Sequence, residues 1–384
     1  MYTAEFFADP HPAYGRMREE AAVHEVRDPK GLTYWLITRF AEGKAALADP
    51  RLAKDPRHAW DALRDAGIVS GSPAEATFDL HTTDPPEHTR LRDAVGKAFT
   101  PGRVEALRPR VQQIADDLVS GFGTSVDLIG DYAYPLSLTV IAELLGIPIA
   151  DREQFRVWTT AAMTPPYITP TGLSRAEGGR LLRQYVTDFV AAKDDADDLV
   201  SALLRTSLTR SEVVALSQQL LFAGHEPTMN LIGNGMAALL RNPSQLELVR
   251  SDPSLLPSTI EELTRFDGPT ARASPRYATV DIEIAGTVIP AGSIVIVGIA
   301  SANRDPRRFA EPDVLDVTRQ ASHLAFGHGI HRCLGVPLAQ LVAGIGIGTL
   351  VLRLSLELVG QLEWHPFPVF RGLKALPVSA TPRR

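Results

Sequence analysis

Apolar positions recur every three to four residues over several long stretches of the chain, the spacing that places them on one face of an α-helix. The stretches with this helical spacing are residues 105–122, 137–145, 176–193, 211–240 and 257–266. Shorter segments rich in β-branched residues predict strands at residues 32–38, 277–285, 287–289, 293–297 and 354–358, with a hairpin around Ala285-Gly286. The pattern therefore predicts a mainly α-helical protein with a minor β-sheet near its start and in its last third.

The chain has no linker, repeat or low-complexity tract, so we expect a single domain over residues 1–384. Its apolar fraction of 45% and charged fraction of 22% are typical of a globular protein. The formal net charge of −6 disfavours a nucleic-acid partner, because phosphate binding needs a concentrated basic surface.

The first twenty residues carry charges and prolines and contain no apolar run of the kind found in signal peptides or membrane anchors. No later segment approaches the ~20 uninterrupted apolar residues that span a bilayer. We therefore expect a cytoplasmic monomer without membrane contact. The single cysteine, Cys333, cannot form an intrachain disulfide.

The segment around this cysteine, residues 323–335, reads His-Leu-Ala-Phe-Gly-His-Gly-Ile-His-Arg-Cys-Leu-Gly. Its three glycines allow tight turns that aim backbone N–H groups at the sulfur. A helix-like apolar run begins at Gly335, and a helix N-terminus together with Arg332 and His331 favours a thiolate. A thiolate in such a loop suits axial ligation of haem iron. The plainer alternative is a small buried hydrophobe, the usual state of a lone cysteine.

The pattern Phe-x-x-Gly-x-His-x-Cys-x-Gly resembles the haem-binding signature of the cytochromes P450 at every fixed position. The resemblance implies a helical prism around a buried haem b, with Cys333 as the iron ligand. It also implies that Phe326 packs beside the sulfur and that His331 reaches a haem propionate. Gly327 and Gly335 belong to the same cofactor-binding loop.

Other segments extend the resemblance. Glu262 and Arg265 look like the Glu-x-x-Arg pair of the family, which implies a structural role beneath the haem. His88 and Arg92, four residues apart on one helical face, resemble the family's propionate-binding pair, a chemistry that suits a guanidinium. Arg276 resembles a further propionate ligand. The end of the chain is similar to bacterial, especially actinobacterial, members that tailor macrolides.

The sequence Ala-Gly-His-Glu-Pro-Thr, residues 223–228, resembles the helix that crosses the distal face of the haem in this family. The resemblance makes Glu226, Pro227 and Thr228 the candidate catalytic positions. The family usually has a threonine or serine whose hydroxyl manages proton delivery where this chain has Pro227. Proline removes the backbone N–H that would bond to Ala223, but it cannot supply a hydroxyl. Glu226 or bound water can then act as the acid, or a substrate group can supply protons.

Taken together, the resemblance implies a monooxygenase that oxidises a lipophilic secondary metabolite, such as a polyketide, macrolide or peptide. Hydroxylation, epoxidation and oxidative coupling all stay open as reactions. It implies use of O2 and of electrons from NAD(P)H, delivered through a ferredoxin and its reductase. We expect the substrate pocket to include Phe222, Ala223, Arg272, Phe367, Val369 and Phe370.

Two alternatives remain open, a peroxide-driven haem-thiolate oxidase and a haem-bearing recruitment or sensor protein without turnover. The chain also departs from the family in the helix after the cysteine. The family usually has Leu-Ala-Arg-x-Glu there, whereas this chain has the uncharged Gln340 and Val342, which puts the local ion pairing in doubt.

Overall fold

The structure is a computed structural model that describes residues 1–69, 71–73, 79–148, 152–163, 172–320 and 322–383. The helices are α1 Ala4–Ala8, α2 His11–Glu20, α3 Phe40–Ala48, α4 Trp60–Asp65, α5 Glu87–Ala98, α6 Pro101–Ala106, α7 Arg108–Ser120, α8 Tyr134–Leu145, α9 Arg152–Met163, α10 Arg175–Ala191, α11 Leu199–Leu204, α12 Arg210–Arg241, α13 Pro243–Ser251, α14 Leu256–Asp267, α15 Ile299–Ala302 and α16 Val336–Arg353. The strands are β1 Val23–Arg27, β2 Thr33–Ile37, β3 Leu52–Ala53, β4 Ser125–Asp127, β5 Arg276–Ala278, β6 Ile282–Ile284, β7 Thr287–Ile289, β8 Ile294–Val297, β9 Leu354–Leu358 and β10 Pro377–Pro382.

The 32-residue helix α12 runs through the middle of the helical part of the molecule and packs against α8, α10, α14 and α16. It begins with a capping box in which Thr209 and Glu212 satisfy each other's backbone N–H groups. Its C-terminal half is buried, so tertiary packing holds this end of the helix in place. Helix α12 is therefore a rigid central element against which these four helices pack.

The strands form a five-stranded sheet in the order β1-β2-β8-β5-β3, a three-stranded sheet β4-β10-β9 and the two-stranded hairpin β6-β7. In the larger sheet β2 and β8 are parallel, and the other neighbours are antiparallel. Because β3 pairs with β5, the chain after Leu52 lies beside the chain around Arg276. This pairing brings together basic residues more than two hundred positions apart.

Helices account for 54% of the structure and strands for 12%, which confirms the predicted fold class. The helices predicted at 137–145, 176–193, 211–240 and 257–266 match α8, α10, α12 and α14, and the hairpin turns at Ala285-Gly286 as expected. The helix predicted at 105–122 is wrong in its first turn. Pro109 has no N–H, so α6 ends at Ala106 and a new helix, α7, begins at Arg108.

The single strand predicted at 277–285 is divided into two strands, β5 and β6. Strand β10 was not predicted; it begins at Pro377 and ends at Pro382, and proline is uncommon in strands.

Two apolar stretches, Leu128–Leu145 and Val336–Arg353, are long enough and apolar enough to cross a membrane by length and composition. They are 78% and 67% buried inside the fold. Their hydropathy is that of core helices, since both α8 and α16 pack against α12.

Candidate active site

The cysteine loop turns sharply between β8 and α16. Gly327 and Gly329 have φ values of 72° and 76°, a region that favours glycine. A Cβ atom on Gly329 would also lie 2.8 Å from the carbonyl oxygen of Leu47. The N–H of Cys333 donates to the carbonyl of Phe326 at 2.8 Å, which closes the loop around the thiol. The loop glycines therefore hold Cys333 at the start of α16.

The thiol of Cys333 is exposed, yet neighbouring protein surrounds it. Backbone N–H groups of Gly335 and Val336 donate to the sulfur, as the sequence predicted. The net effect on the thiol is nevertheless opposite to the prediction. Burial raises its pKa and outweighs the backbone N–H groups and the charges of Arg92 and Arg332. The protein alone does not hold Cys333 as a thiolate.

Two histidines predicted to bind an anion meet in the interior. The rings of His88 on α5 and His331 in the cysteine loop are 4.1 Å apart between centroids. The Nε2 atom of each is buried without a hydrogen-bond partner. Burial, followed by the charges of His88, Lys54, Arg276 and His81, lowers the pKa of His331 to about 2. His331 is therefore a neutral imidazole that lies close to the basic residues Lys54 and Arg276.

Arg276 contributes to that charge from β5. It is buried, and its guanidinium donates to the carbonyl oxygens of Leu52 and Leu47 at 3.0 and 2.7 Å. Burial lowers its pKa to about 10, while Asp84 and Asp49 oppose the shift.

Arg92 is held at the edge of the same region, where its Nη2 donates to the carbonyl of Arg332 at 2.7 Å. All four predicted anion-binding residues therefore lie around the loop of Cys333.

Two further basic residues in this cluster were not predicted. Lys54 is buried, and its Nζ donates to Ser274 Oγ at 2.5 Å and to the Pro275 carbonyl at 2.8 Å. Burial and then the charge of Arg276 lower its pKa to about 7. His81, in the segment before α5, has its pKa lowered to about 3 by the surrounding protein and by Lys54 and Arg276.

No local pattern marks either His81, which lies before the start of α5, or Lys54. Lys54 joins the cluster only through the β3–β5 pairing.

On α12 the structure places Glu226 in a buried polar group. Burial raises the pKa of Glu226 to about 7, and a hydrogen bond with the side chain of Asn230 opposes the shift. His225 donates through Nδ1 to the Leu221 carbonyl at 2.8 Å, with the tautomer assigned from this contact, and its Nε2 lies 3.7 Å from Glu226 Oε2. Glu226 therefore has the environment of a group that exchanges protons near neutral pH.

Pro227 lies inside α12 without ending it, since the helix continues to Arg241. The hydroxyl of Thr228 donates to the Gly224 carbonyl at 3.0 Å, and Thr228 is 4% exposed. This bond turns the hydroxyl back onto its own helix. Thr228 is thus not free to take over the role of the missing hydroxyl at position 227.

The segment of α12 around Ala223 is more open than the rest of the helix. Ala223 is exposed and Phe222 half-buried, whereas residues 228–239 are buried. On another face, Gly224 packs so closely against α8 that a Cβ atom would lie 2.5 Å from Ile141. The close packing fixes the helix against α8, while Phe222 and Ala223 stay accessible.

Glu262 and Arg265 form a buried bidentate pair on α14, with N–O distances of 2.7 and 2.8 Å. Arg265 also donates to the carbonyl oxygens of Asn303 and Pro312, both at 2.9 Å. Glu262 Oε1 accepts from the backbone N–H of Asp316 at 3.0 Å. The buried pair therefore connects α14 to the segments around Asn303, Pro312 and Asp316. It is not the exposed ion pair that this spacing gives on an ordinary helix.

Arg272 was predicted to face the substrate, and the structure corrects this. Its guanidinium is buried among tyrosines and donates to the hydroxyls of Tyr14, Tyr2 and Tyr34 at 3.2, 3.1 and 2.8 Å. These partners come from the first thirty-four residues of the chain. Arg272 therefore anchors the N-terminal segment, and its described hydrogen bonds all go to that segment.

The predicted pocket residues near the C-terminus also contact the N-terminal segment. Phe367 and Phe370 line a cavity of about 20 Å³ together with Phe6 and Tyr14, room for about one water molecule. The backbone carbonyl of Val369 accepts from the N–H groups of Ala271 and Arg272. Their described contacts are those of packing residues, because aromatic side chains here cover α1.

Comparison with known proteins identifies the family. The family model for cytochrome P450 matches residues 180–370. Over 393 residues the chain is 44% identical to cytochrome P450 monooxygenase PikC of Streptomyces venezuelae, covering 97% of this chain and 92% of that protein. The chain belongs to the cytochrome P450 family.

A second relative, vitamin D(3) 25-hydroxylase of Pseudonocardia autotrophica, is 41% identical over an alignment that covers 100% of this chain and 96% of that protein. Among solved structures, the P450 enzyme CxnD for C–S bond formation in chuangxinmycin biosynthesis superposes with a TM-score of 0.90. It is 37% identical, with 99% of this chain and 98% of that chain covered. The chain is thus a P450 monooxygenase, as the cysteine loop predicted.

The family implies a haem, and the residues present fit one. A haem offers an iron for a thiol and two propionates for hydrogen-bond donors. The accessible thiol of Cys333 and the partnerless Nε2 atoms of His88 and His331 supply complementary groups around one region. The charge of Arg276 and the N–H donors of Lys54 and of the neutral histidines match a dianionic ligand.

Proposed function

We propose that Cys333 is the axial ligand of a haem b and that His88, Arg92, Arg276 and His331 hold its propionates. The observation that carries this assignment is the accessible Cys333 thiol beside two buried histidines with partnerless Nε2 atoms. A bound iron cation would offset the burial that raises the pKa of the thiol, since a coordinating thiol is deprotonated. The proposed domain is the whole chain, residues 1–384.

The remaining haem-loop residues shape this site. Phe326 accepts the Cys333 N–H through its carbonyl, and Gly327 turns the backbone with a φ of 72°. A Cβ atom on Gly335 would lie 3.8 Å from the sulfur. The Glu262–Arg265 pair ties α14 to the segments at Asn303, Pro312 and Asp316, and it supports the loop from below.

When bound, the haem supplies activation of dioxygen. The chain's part in the reaction is to position the substrate and to deliver protons. Glu226 holds a proton near neutral pH in a buried position, and Asn230 fixes its carboxyl. Thr228 keeps its hydroxyl on Gly224, and Pro227 has none. Proton delivery therefore depends on Glu226 together with water or a donor group on the substrate.

The proposed substrate is a lipophilic secondary metabolite, such as a polyketide or macrolide, bound beside Phe222 and Ala223. The names of relatives support this class and also its breadth, since one is a vitamin D(3) hydroxylase and another forms a C–S bond. Hydroxylation, epoxidation and oxidative coupling are all compatible with it. We further propose that NAD(P)H supplies the electrons through a ferredoxin and its reductase, and that the protein is a cytoplasmic monomer.

The ligand assignment is tested with Cys333→Ser. A serine hydroxyl is a far weaker acid than a cysteine thiol and does not supply an anionic ligand near neutral pH. The reduced carbonyl complex should therefore lose its thiolate-type Soret band. The control is Ile330→Ala, which changes an exposed side chain of the same loop (52% exposed) and should keep the band. An unchanged spectrum in Cys333→Ser would overturn the axial assignment.

The substrate class is tested by titrating natural-product scaffolds into the ferric protein. A binding scaffold should shift the Soret band and raise the consumption of reductant and O2. If a scaffold binds tightly but no scaffold changes the consumption of reductant, a recruitment or sensor role would be favoured instead.

A further inference from the structure

A carboxylate beside the cysteine loop is held by neutral partners. Glu261, the residue before the buried Glu262, lies on the outer face of α14, and its side chain is 39% exposed. Gln340 on α16 donates through Nε2 to Glu261 Oε1 at 2.7 Å. His323 approaches the other oxygen, with Nε2 at 3.3 Å from Oε2, in a contact that is electrostatic more than a well-aligned hydrogen bond.

The protonation of His323 follows from its other nitrogen. Nδ1 of His323 accepts the backbone N–H of Ala325 at 3.2 Å, so it carries no proton. The ring proton is therefore assigned to Nε2, and the imidazole is neutral. Contacts with His323 and Gln340 lower the pKa of Glu261 and keep it ionised. In the tautomer that accepts the Ala325 N–H His323 is neutral, and the Gln340 amide carries no charge.

Nearby arginines do not neutralise this carboxylate either. Among the residues that the structure describes, no lysine or arginine nitrogen lies within 4.0 Å of Glu261. Two arginines line the same surface groove between α6, α7, α14 and α16, but Arg108 pairs with Glu105 and Arg353 with Asp116. Arg332 exerts only a weaker attraction on Glu261. A net negative charge thus stands at this position.

The charge is linked to Cys333 by a short series of contacts. The His323 ring packs against Phe326, with centroids 5.7 Å apart. The carbonyl of Phe326 accepts the backbone N–H of Cys333 at 2.8 Å. Glu261 is therefore joined to the loop that presents the thiol through the His323 ring.

We propose that Glu261, held by Gln340 and His323, lowers the reduction potential of the iron centre on Cys333. This rests on the proposed axial assignment of Cys333. The reduced centre carries one more electron than the oxidised one, so a nearby uncompensated carboxylate disfavours reduction. Glu261, Gln340 and His323 are positioning residues in this scheme, because none of them contacts the reacting atoms.

The test is a charge series read by the midpoint potential of the substrate-free holoprotein in a spectroelectrochemical titration. Glu261→Gln removes the charge and should shift the midpoint to more positive values. Gln340→Glu adds a second carboxylate and should shift it to more negative values. The double variant Glu261→Gln/Gln340→Glu exchanges the two groups across their hydrogen bond and should return the midpoint close to that of the unmodified protein.

Two controls separate electrostatics from structural damage. Glu363→Gln removes a carboxylate that contacts Lys374 near the end of the chain and should leave the midpoint unchanged. The carbonyl spectrum must keep its thiolate band in every variant. Because Glu261 is partly exposed, added salt should reduce the shifts.

Unchanged midpoints in both single variants, or a double variant that behaves like Glu261→Gln alone, would overturn the proposal. If Glu261→Gln does not retain haem, Gln340→Glu decides the question by itself. Loss of the thiolate band from the unmodified protein would refute the axial assignment, whereas a normal band with unmoved midpoints refutes only the role of Glu261.

Discussion

Glu226→Gln should stabilise the protein at high pH, and the gain should disappear at low pH. Burial raises the pKa of Glu226 from 4.5 to about 7, so the folded state binds this proton more tightly than the unfolded state. The contribution to stability is complete below pH 4.5 and is lost as the pH rises through about 7. Glutamine has nearly the same shape, stays neutral and escapes this loss.

The pKa difference sets the size of the effect. At 1.36 kcal/mol for each pH unit, the change from 4.5 to about 7 corresponds to at most about 3 kcal/mol at pH 8. An unfolding entropy of about 2.1 cal/mol/K per residue over 384 residues converts this to a Tm difference of about 4 °C. At pH 5 the two proteins should differ little.

The assay is thermal unfolding of both holoproteins from pH 5 to pH 8 at one scan rate, since unfolding of a protein this size is often irreversible. The buried His225, whose pKa is lowered to about 4, is present in both proteins and largely cancels in the difference. Glu363→Gln is the control of opposite sign, because its hydrogen bond with Lys374 lowers the pKa of that carboxyl. A Tm difference that stays constant across this range would refute the reasoning.

Two further substitutions test the frame of the site. Arg265→Met should cost at most about 3–5 kcal/mol, because the buried Glu262 loses its bidentate partner and keeps Arg319 at 3.2 Å. In a thermal double-mutant cycle Glu262→Gln/Arg265→Met should cost less than the sum of the single changes, and strict additivity would contradict the pairing. Gly372→Ala places a Cβ atom 2.1 Å from Asn230 Oδ1 and should lower the free energy of unfolding by about 1–3 kcal/mol. The control is Gly179→Ala in α10, where a Cβ atom meets nothing within 4 Å and should not destabilise the protein. Equal Tm values for the two variants would argue against the contact with Asn230.

The parts of the site that the sequence predicted are those encoded locally. The loop from Phe326 to Gly335 depends on glycines and a helix start within ten residues, so its turns can be read from spacing alone. Glu262 and Arg265 share a helical face for the same reason. The period of apolar residues located α12, although it could not tell that Thr228 turns its hydroxyl onto Gly224.

The parts that were missed depend on contacts between distant segments. Arg272 was expected in the pocket, but the tyrosines that bind it are 238 to 270 residues away. Lys54 reaches Ser274 and Pro275 through strand pairing, 220 and 221 residues along the chain. A cation in a sequence carries no sign of which distant acceptors will satisfy it, so its role emerges only from the tertiary structure.

Two groups of buried polar side chains can be distinguished in this enzyme. One group has protein hydrogen-bond partners and supports the fold, and the other lacks them and is available to a ligand. Arg265 and Arg272 are each engaged by several protein partners, which lets their charge be buried at tolerable cost. His88 and His331, by contrast, keep a buried nitrogen without a protein partner, a cost of about 1–3 kcal/mol for each. A ligand that supplies the missing acceptors recovers this energy on binding. The same residues that make the cofactor-free chain less stable therefore make the site selective for an anionic group, and holoprotein stability should exceed that of the chain alone.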